Sequence, residues 1–311
     1  GALLMVGTPS ARLADVIIIG TGVIGTATAF ELSKSGFKTL SIDRNSQIGH
    51  GSTAGSCAII RMHYSTFEGT AFAWEGYHYW RDWQEYLGLS NHESLASFIE
   101  CGCLVMKTEG NEFLKRHIAH SQSLSIPIEH WDSNKIITRL PIYDLSSFAP
   151  PKLPDHPEFG LSSGRKLDGA VFWPKAGYVT DPALSAQNLA NAAAEHGANF
   201  RLGAEVTQIV QKSGAVRGVI LDNGEKIMAP VIINIAGPGS SYINRLAGVT
   251  DDMTIQTRAL RQEVVHLPSP SSFNFERDGM IISDSDIALY CRPENGNHIL
   301  IGSEDPPCDE H

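Results

Sequence analysis

The sequence predicts an α/β protein of two domains, one on a parallel sheet and one on a mixed or antiparallel sheet. Three observations predict it. Val16–Ile19 is a short continuous apolar run that leads into glycines, a helical pattern and a second strand, as strands buried on both faces of a parallel sheet do. Val231–Ile235 repeats the pattern of an apolar run ending in a Gly-rich turn, Ala236-Gly237-Pro238-Gly239. From Arg258 onward, short strand-like runs separated by turn residues indicate an antiparallel sheet.

The first stretch carries the most information. Gly20, Gly22 and Gly25 follow the strand at GxGxxG spacing, Val23, Ala27 and Phe30 recur at helical spacing, and Gly36 closes the helix. Thr39–Ile42 reads as the second strand, and Asp43 stands at its end, about 20 residues past the glycines, as a dinucleotide fingerprint requires. Gly20 permits the tight turn, Gly22 lets the backbone approach a pyrophosphate, and Gly25 lets the helix pack against the strand. The helix N-terminus at Val23 and Ile24 offers N–H groups and a positive dipole end to phosphate, and Asp43 can accept from a ribose. This is a Rossmann-type nucleotide site.

Bulk properties narrow the function. The 311 residues suffice for two domains. The 24 basic against 34 acidic side chains, a formal charge of −10, argue against a nucleic-acid partner, which needs clustered Lys and Arg. No apolar run approaches the ~20 residues of a membrane span, and no secretory signal is evident. Residues 1–14 read as a loose leader with Met5 as the natural start. Cys57, Cys101, Cys103, Cys291 and Cys308 are odd in number and scattered, which fits a reducing, cytoplasmic compartment. Cys101-Gly-Cys103 sits in an apolar strand without further ligands and reads as buried and inert, and no metal site is expected.

After Asp43 and Arg44 comes a small-residue loop, with Gly51, Ser52 and Thr53, then Ile59-Ile60-Arg61 and His63-Tyr64. Arg61 is a fork-shaped cation suited to a carboxylate, and its bland alternative is a structural arginine. Tyr64 divides evenly between a substrate-side and a core aromatic. Thr66–Gly88 reads as an aromatic-rich helix packing on the sheet, Ser97–Met106 as a strand, Glu112–Ser125 as a helix, and Leu140–Gly164 as a Pro-rich loop. Ala170–Val179 is strand-like. Asp181, Pro182 and Gly197 suit the N-cap, first position and C′ end of a helix. A small meander follows, with turns at Ser213-Gly214 and Asn223-Gly224.

DVIIIGTGVIG, IDR and GSTAGSCAIIRMHYS together resemble the amino-terminal end of the D-amino acid oxidase superfamily of FAD enzymes. The nearest branch is that of sarcosine oxidase and sarcosine or dimethylglycine dehydrogenase. YCRPENGNHILIG resembles the same family's YxRPe hairpin. The resemblance implies a glutathione-reductase-like FAD-binding domain over 5–95 and 166–250, with a substrate domain over 96–165 and 251–311. It implies that Gly20, Gly22, Val23, Ile24, Gly25, Asp43, Arg44, Gly51, Ser52, Thr53, Val206, Ala236 and Gly237 contact FAD. Arg61 would lie near the substrate carboxylate with Tyr64, and Tyr290 and Arg292 would reach toward the flavin.

The implied reaction is oxidation of a C–N bond in a small amino acid or N-methyl amino acid, with hydride passing to flavin N5. O2 or an electron carrier would take the electrons. Leu300 stands where sarcosine oxidases carry an oxygen-side lysine, which favours a carrier. Relatives continue past the point matching His311, so the resemblance implies a carboxy-terminally truncated chain, a fragment, or one partner of a homo-oligomer or two-chain enzyme. Two alternatives stay open: a flavoprotein oxidising a 2-hydroxy acid or glycerol phosphate, and a non-catalytic nucleotide-binding subunit. An NAD(P) dehydrogenase is third, disfavoured by the Gly49–Ser56 loop and the Ala236-Gly237 turn.

Overall fold

The computed structural model describes residues 14–91 and 94–304, so Met5, the rest of the expected leader up to residue 13, and Cys308 lie outside the described residues. Two compact units divide the chain. One holds the residues up to Ser56, with Leu87–Ala96 and Asp181–Ala259; the other holds Cys57–Tyr86, Ser97–Thr180 and the residues from Leu260. Cys57–Tyr86 and residues 166–180, expected among the FAD-binding segments, fall in the second unit. Strand pairing explains this: Ile59–Ile60 pairs with Gly177 and Tyr178, and Gly169–Trp173 pairs on both sides within the second unit's sheet.

The first unit is built on a four-stranded sheet in the order Val231–Asn234, Val16–Ile19, Thr39–Asp43, Asn199–Leu202, every pairing parallel. Val16–Ile19 is central and buried along its length, which is why it reads as an unbroken apolar run. The helix Val23–Lys34 lies against the helix Pro182–Glu195, where the Ser33 hydroxyl donates to the Ala193 carbonyl at 3.3 Å. Small buried residues (Ala29, Ala186, Ala190, Ala193) line the pair. The Asp181 side chain accepts from the Leu184 amide at 2.9 Å, and Gly197 leaves the helix at φ +90°, as the sequence predicts. The antiparallel meander Val206–Lys212, Ala215–Leu221, Lys226–Met228 turns first through Ser213 and Gly214, both at positive φ, the geometry of a tight two-residue hairpin.

The second unit carries a seven-stranded mixed sheet in the order Val264–Pro268, His298–Ser303, Leu289–Glu294, Ile281–Asp284, Cys103–Met106, Gly169–Trp173, Glu129–Asp132. Its Ile281–Asp284 and Cys103–Met106 strands run parallel and the other neighbours antiparallel. The period of two sorts its side chains: Leu104, Met106, Ala170 and Phe172 enter one core with Trp131 and Met280, while Cys103, Val105, Val171 and Trp173 enter another with Met62 and Tyr77. A second sheet of three short strands joins Ile59–Ile60, Gly177–Val179 and Phe98–Ile99.

Several boundaries differ from expectation. The helix expected over Thr66–Gly88 is two, Phe67–Arg81 and Trp83–Leu87, broken at Asp82. Its buried residues are Thr70 and Tyr77, whereas Phe72 is 81% and Tyr79 44% exposed. The strand expected over Ser97–Met106 breaks at Gly102, which sits at φ +82° with the Phe172 ring where a side chain would be. Glu129–Asp132, the helix Ser133–Arg139 and the helix Ser240–Ala247 are additions. No helix among the described residues is long and apolar enough to cross a membrane.

A Cβ on Gly25 would lie 2.0 Å from the Gly20 carbonyl oxygen, a backbone atom that cannot rotate away. Gly25→Ala should therefore lose stability in urea unfolding by roughly 1–3 kcal/mol, the cost of overpacking. Gly76→Ala, in helix Phe67–Arg81 with nothing near its Cβ, should gain roughly 0.5–1 kcal/mol.

Candidate functional site

In the first unit, two neighbouring parallel strands end side by side in glycine turns, the place where open α/β sheets bind ligands. Val16–Ile19 runs into Gly20, and Val231–Asn234 into Ala236 and Gly237. A cleft of about 230 Å³ opens there. Gly20, Gly22, Asp43, Arg44, Gly51, Ser52, Thr53, Val206, Ala236 and Gly237 all line it, so the structure brings together ten of the thirteen residues expected to hold FAD. Val23 and Ile24 stand at the adjoining helix start, and Gly25 is buried behind it.

The glycines have different reasons for lacking a side chain. A Cβ on Gly20 would lie 2.1 Å from the Ile235 carbonyl oxygen, so packing alone excludes one. A Cβ on Gly22 would meet only the Thr53 hydroxyl, at 3.0 Å, and one on Gly237 only the Ser52 hydroxyl, at 3.6 Å. Gly237, at φ +55°, also needs glycine for its backbone conformation, whereas at Gly22 the room belongs to the cleft, as a neighbouring pyrophosphate needs. Gly22, the N-cap, supplies no side chain to the first turn; instead Thr53 Oγ1 accepts from the Val23 amide at 3.0 Å.

Asp43 is held for its task. Thr21 donates to its Oδ2 twice, from the amide at 2.8 Å and the hydroxyl at 2.9 Å, while the Asn45 amide donates to Oδ1 at 2.8 Å. An ionised carboxylate has about four acceptor positions, so capacity remains for a ribose hydroxyl. Thr21, fully buried between the two glycines, is an orienting residue that spacing alone did not mark. Tyr242 and Ile243 also line the cleft. They belong to the helix Ser240–Ala247, whose sequence signals were the Ile243 and Leu246 spacing and Gly248, which adopts the left-handed C-terminal position.

In the second unit, Arg61 follows the strand Ile59–Ile60 and is exposed, its guanidinium 4.9 Å from the centre of the Tyr64 ring. Arg61 makes no ion pair with any described residue, so its charge is available. The residues between turn inward: Met62 is fully buried and His63 is 3% exposed. The His63 ring lies 4.6 Å from Trp173 and 5.5 Å from His117, and Nδ1 of His63, His117 and His120 has no hydrogen-bond partner among the described residues. Burial, then the nearby Arg61 charge, then His117 hold His63 well below the usual histidine range. Burial, Arg61, His120 and Arg116 push His117 down to about 4.

Tyr290 stands across the sheet from Gly302, and burial and the Cys57 thiol push its phenol up to about 12. Arg292, expected to reach toward the flavin, is 2% exposed and engaged at every nitrogen. Nε donates to the Cys57 carbonyl at 2.5 Å, Nη1 to the Pro293 carbonyl at 2.6 Å, and Nη2 to Glu294 at 3.1 Å, with the guanidinium over the Tyr178 ring. Cys103 is buried, Cys101 half-buried, and burial raises both thiols to about 12, so neither is a ready nucleophile.

A parallel-sheet cleft edged by glycine turns and an oriented acid defines a dinucleotide-binding protein. The FAD dependent oxidoreductase family (DAO) matches residues 15–311, and the chain belongs to it. FAD is that family's cofactor. Among curated proteins the chain is similar to N-methyl-L-tryptophan oxidase of Yersinia pestis (strain Pestoides F), 26% identical over 210 residues, 67% of this chain and 50% of that protein. The chain spans about half the length of the curated relatives it matches. Among solved structures it is similar to L-proline dehydrogenase from P. horikoshii, with TM-score 0.77, 20% identity, and coverage of 94% of this chain and 70% of that one. Glycine oxidase from Geobacillus kaustophilus gives TM-score 0.71 and 21% identity over 93% of this chain and 70% of that one. Both structures share the fold.

His63 and His117 make stability pH-dependent, and the sign follows from their depressed pKa values. Unfolded imidazoles take up protons below about 6.5, whereas the folded pair resists until near 4 for His117. Stability is therefore full above about pH 6.5 and falls as the pH drops toward 4. Urea unfolding at several pH values should show that decline, and His117→Phe should flatten it.

Proposed function

We propose that this chain is the flavin-binding and substrate-recognising part of an amino acid oxidase or dehydrogenase acting on the C–N bond of a small amino acid or N-methyl amino acid. One observation carries the reading: Arg61, an exposed cation without an ion-pair partner, rests on the Tyr64 ring in a chain that belongs to an FAD-dependent oxidoreductase family. The N-methyl amino acid named for the Yersinia relative supports the substrate class.

The cofactor is held by backbone more than by side chains. Gly22 and Gly237 leave room for the pyrophosphate, the helix start offers the Ile24 N–H and a positive dipole end while Thr53 caps the Val23 amide, and Asp43 accepts from the ribose. Ser52, Thr53, Gly51 and Arg44 line the same cleft, with Val206 as the apolar wall for the adenine. Gly20 and Gly25 make the turn itself. FAD supplies hydride acceptance from the substrate α-carbon.

Arg61 takes the substrate carboxylate through two parallel hydrogen bonds, turning an encounter into an oriented complex. His63 and His117 are held neutral, and Arg61 is the cation that anchors the carboxylate. Tyr64 and Tyr290 supply aromatic surface and a phenol to the substrate side, and Arg292 holds the Cys57 backbone. The electron acceptor is O2 or a carrier. The four described cysteines are all free.

The test is anaerobic reduction of the bound flavin, which reads substrate oxidation whatever the acceptor. N-methyl and unmodified amino acids should bleach the flavin, and 2-hydroxy acids and glycerol phosphate should not. Arg61→Ala should raise the amino acid concentration required at least tenfold, the loss of a charge-assisted pair worth about 1.5–3 kcal/mol, while FAD stays bound. Bleaching by hydroxy acids alone, or unchanged substrate affinity in the variant, contradicts the reading.

A further inference from the structure

Tyr290 and Arg292 are two residues apart on the strand Leu289–Glu294, so their side chains leave on the same face. Both end on Cys57. The Tyr290 hydroxyl lies 3.7 Å from the Cys57 sulfur, and Arg292 Nε donates to the Cys57 carbonyl at 2.5 Å. One residue is thus gripped at its side chain and at its backbone by one strand. The next residue, Ala58, adopts φ +52°, and its carbonyl accepts from the Val179 amide at 2.9 Å. Ile59 then pairs with Tyr178, whose ring lies under the Arg292 guanidinium. From Cys57 to Ile60 the chain is fixed at every step, and the residue it delivers is Arg61.

The Tyr290 ring is fixed as well. Gly302, its cross-strand partner, has no side chain, and a Cβ there would lie 2.3 Å from the Tyr290 Cζ and 2.4 Å from its hydroxyl oxygen. An aromatic laid over a facing glycine is a stabilising sheet pair in its own right. That pairing needs nothing at the hydroxyl, whereas here the hydroxyl is directed to a thiol that no other side chain contacts at hydrogen-bond distance among the described residues. The sheet pair accounts for the ring, and the thiol contact requires a separate reason.

We propose that Cys57 is a positioning residue that sets Tyr290 and the segment bearing Arg61 in register with each other, through its thiol to the phenol and its carbonyl to Arg292. The inference deepens the proposed function and rests on Arg61 and Tyr290 serving the substrate. Its distinctive feature is that a serine preserves the contact and an alanine does not.

The test uses the flavin-loaded chain with Cys57→Ala, Cys57→Ser, Tyr290→Phe and the double variant Cys57→Ala/Tyr290→Phe. Half-saturation and maximal rate of anaerobic flavin reduction are read separately for an amino acid that bleaches the parent, and iodoacetamide labelling of Cys57 is read by peptide mass spectrometry. Cys57→Ala should raise half-saturation about fivefold, the worth of one hydrogen bond, with a smaller effect on the maximal rate. Cys57→Ser should restore it to within about twofold, and Cys57→Ala should add nothing once Tyr290 is Phe, as residues acting through one contact do. Tyr290→Phe should speed labelling of Cys57 several-fold. A full alanine effect in the Tyr290→Phe background, a serine variant as impaired as alanine, or an unchanged labelling rate would overturn the proposal. Should no amino acid reduce the flavin, the substrate reading falls by itself. Labelling then decides the positioning role: faster in Tyr290→Phe supports it, and unchanged overturns it.

Discussion

The fold of the first unit depends on one close approach. Gly20 and the Ile235 carbonyl come so near that no other residue fits at position 20 without moving the backbone. That contact lets two parallel strands end level with each other, and a cleft forms only because both then turn away. Val16–Ile19 leads into a helix whose N-terminus adjoins the cleft and whose first amide Thr53 caps, and Val231–Asn234 into a turn whose Gly237 has a positive φ. The second strand brings Asp43 to the same edge, where Thr21 locks it. A helix N-terminus beside the cleft, an oriented acid and an apolar wall at Val206 are consequences of strand ends held in register.

The second unit solves a different problem, that of keeping one cation exposed and in place. Arginine is costly to hold still because of its rotamer entropy. Here the chain before Arg61 is immobilised instead, by strand pairing at Ile59 and Ile60 and by the Arg292 clamp on Cys57. The burial of His63 and His117 beside Arg61 adds a constraint of charge. Desolvation and a neighbouring cation both oppose imidazolium, so near neutral pH the cluster carries the charge of its arginines, and acid weakens the fold through these histidines.

Much of the first unit was legible in the sequence because its requirements are local. A glycine at a tight turn, an acid at a strand end and Asp181 at a helix start are determined within a few residues of chain. Thr21 was invisible for the opposite reason: its partner Asp43 is 22 residues away, and threonine between glycines has no unique meaning. The second unit was harder to read. Gly102 breaks an apparent strand because the Phe172 ring occupies its side-chain space, a fact that only the packed sheet reveals. Arg292, expected from YCRPE to reach toward the flavin, is buried by alternation on a two-faced sheet with its guanidinium over the Tyr178 ring. The aromatic-rich stretch expected to pack on the sheet leaves Phe72 and Tyr79 exposed, and its helix Phe67–Arg81 buries Thr70 and Tyr77.

The central claim is that the empty space at Gly22 belongs to the cofactor and not to the fold. Gly22 has φ −70° and ψ −177°, a conformation open to any residue, and its Cβ would meet only one hydroxyl. The most direct measurement is the FAD affinity of Gly22→Ala together with the melting temperature of the flavin-free protein. An affinity loss of about tenfold or more, at least ~1.4 kcal/mol, with the flavin-free protein folded and its melting temperature lowered only as far as a small shift of the Thr53 hydroxyl requires, is the result expected. Undiminished FAD binding, or a loss that only follows unfolding, would contradict the assignment.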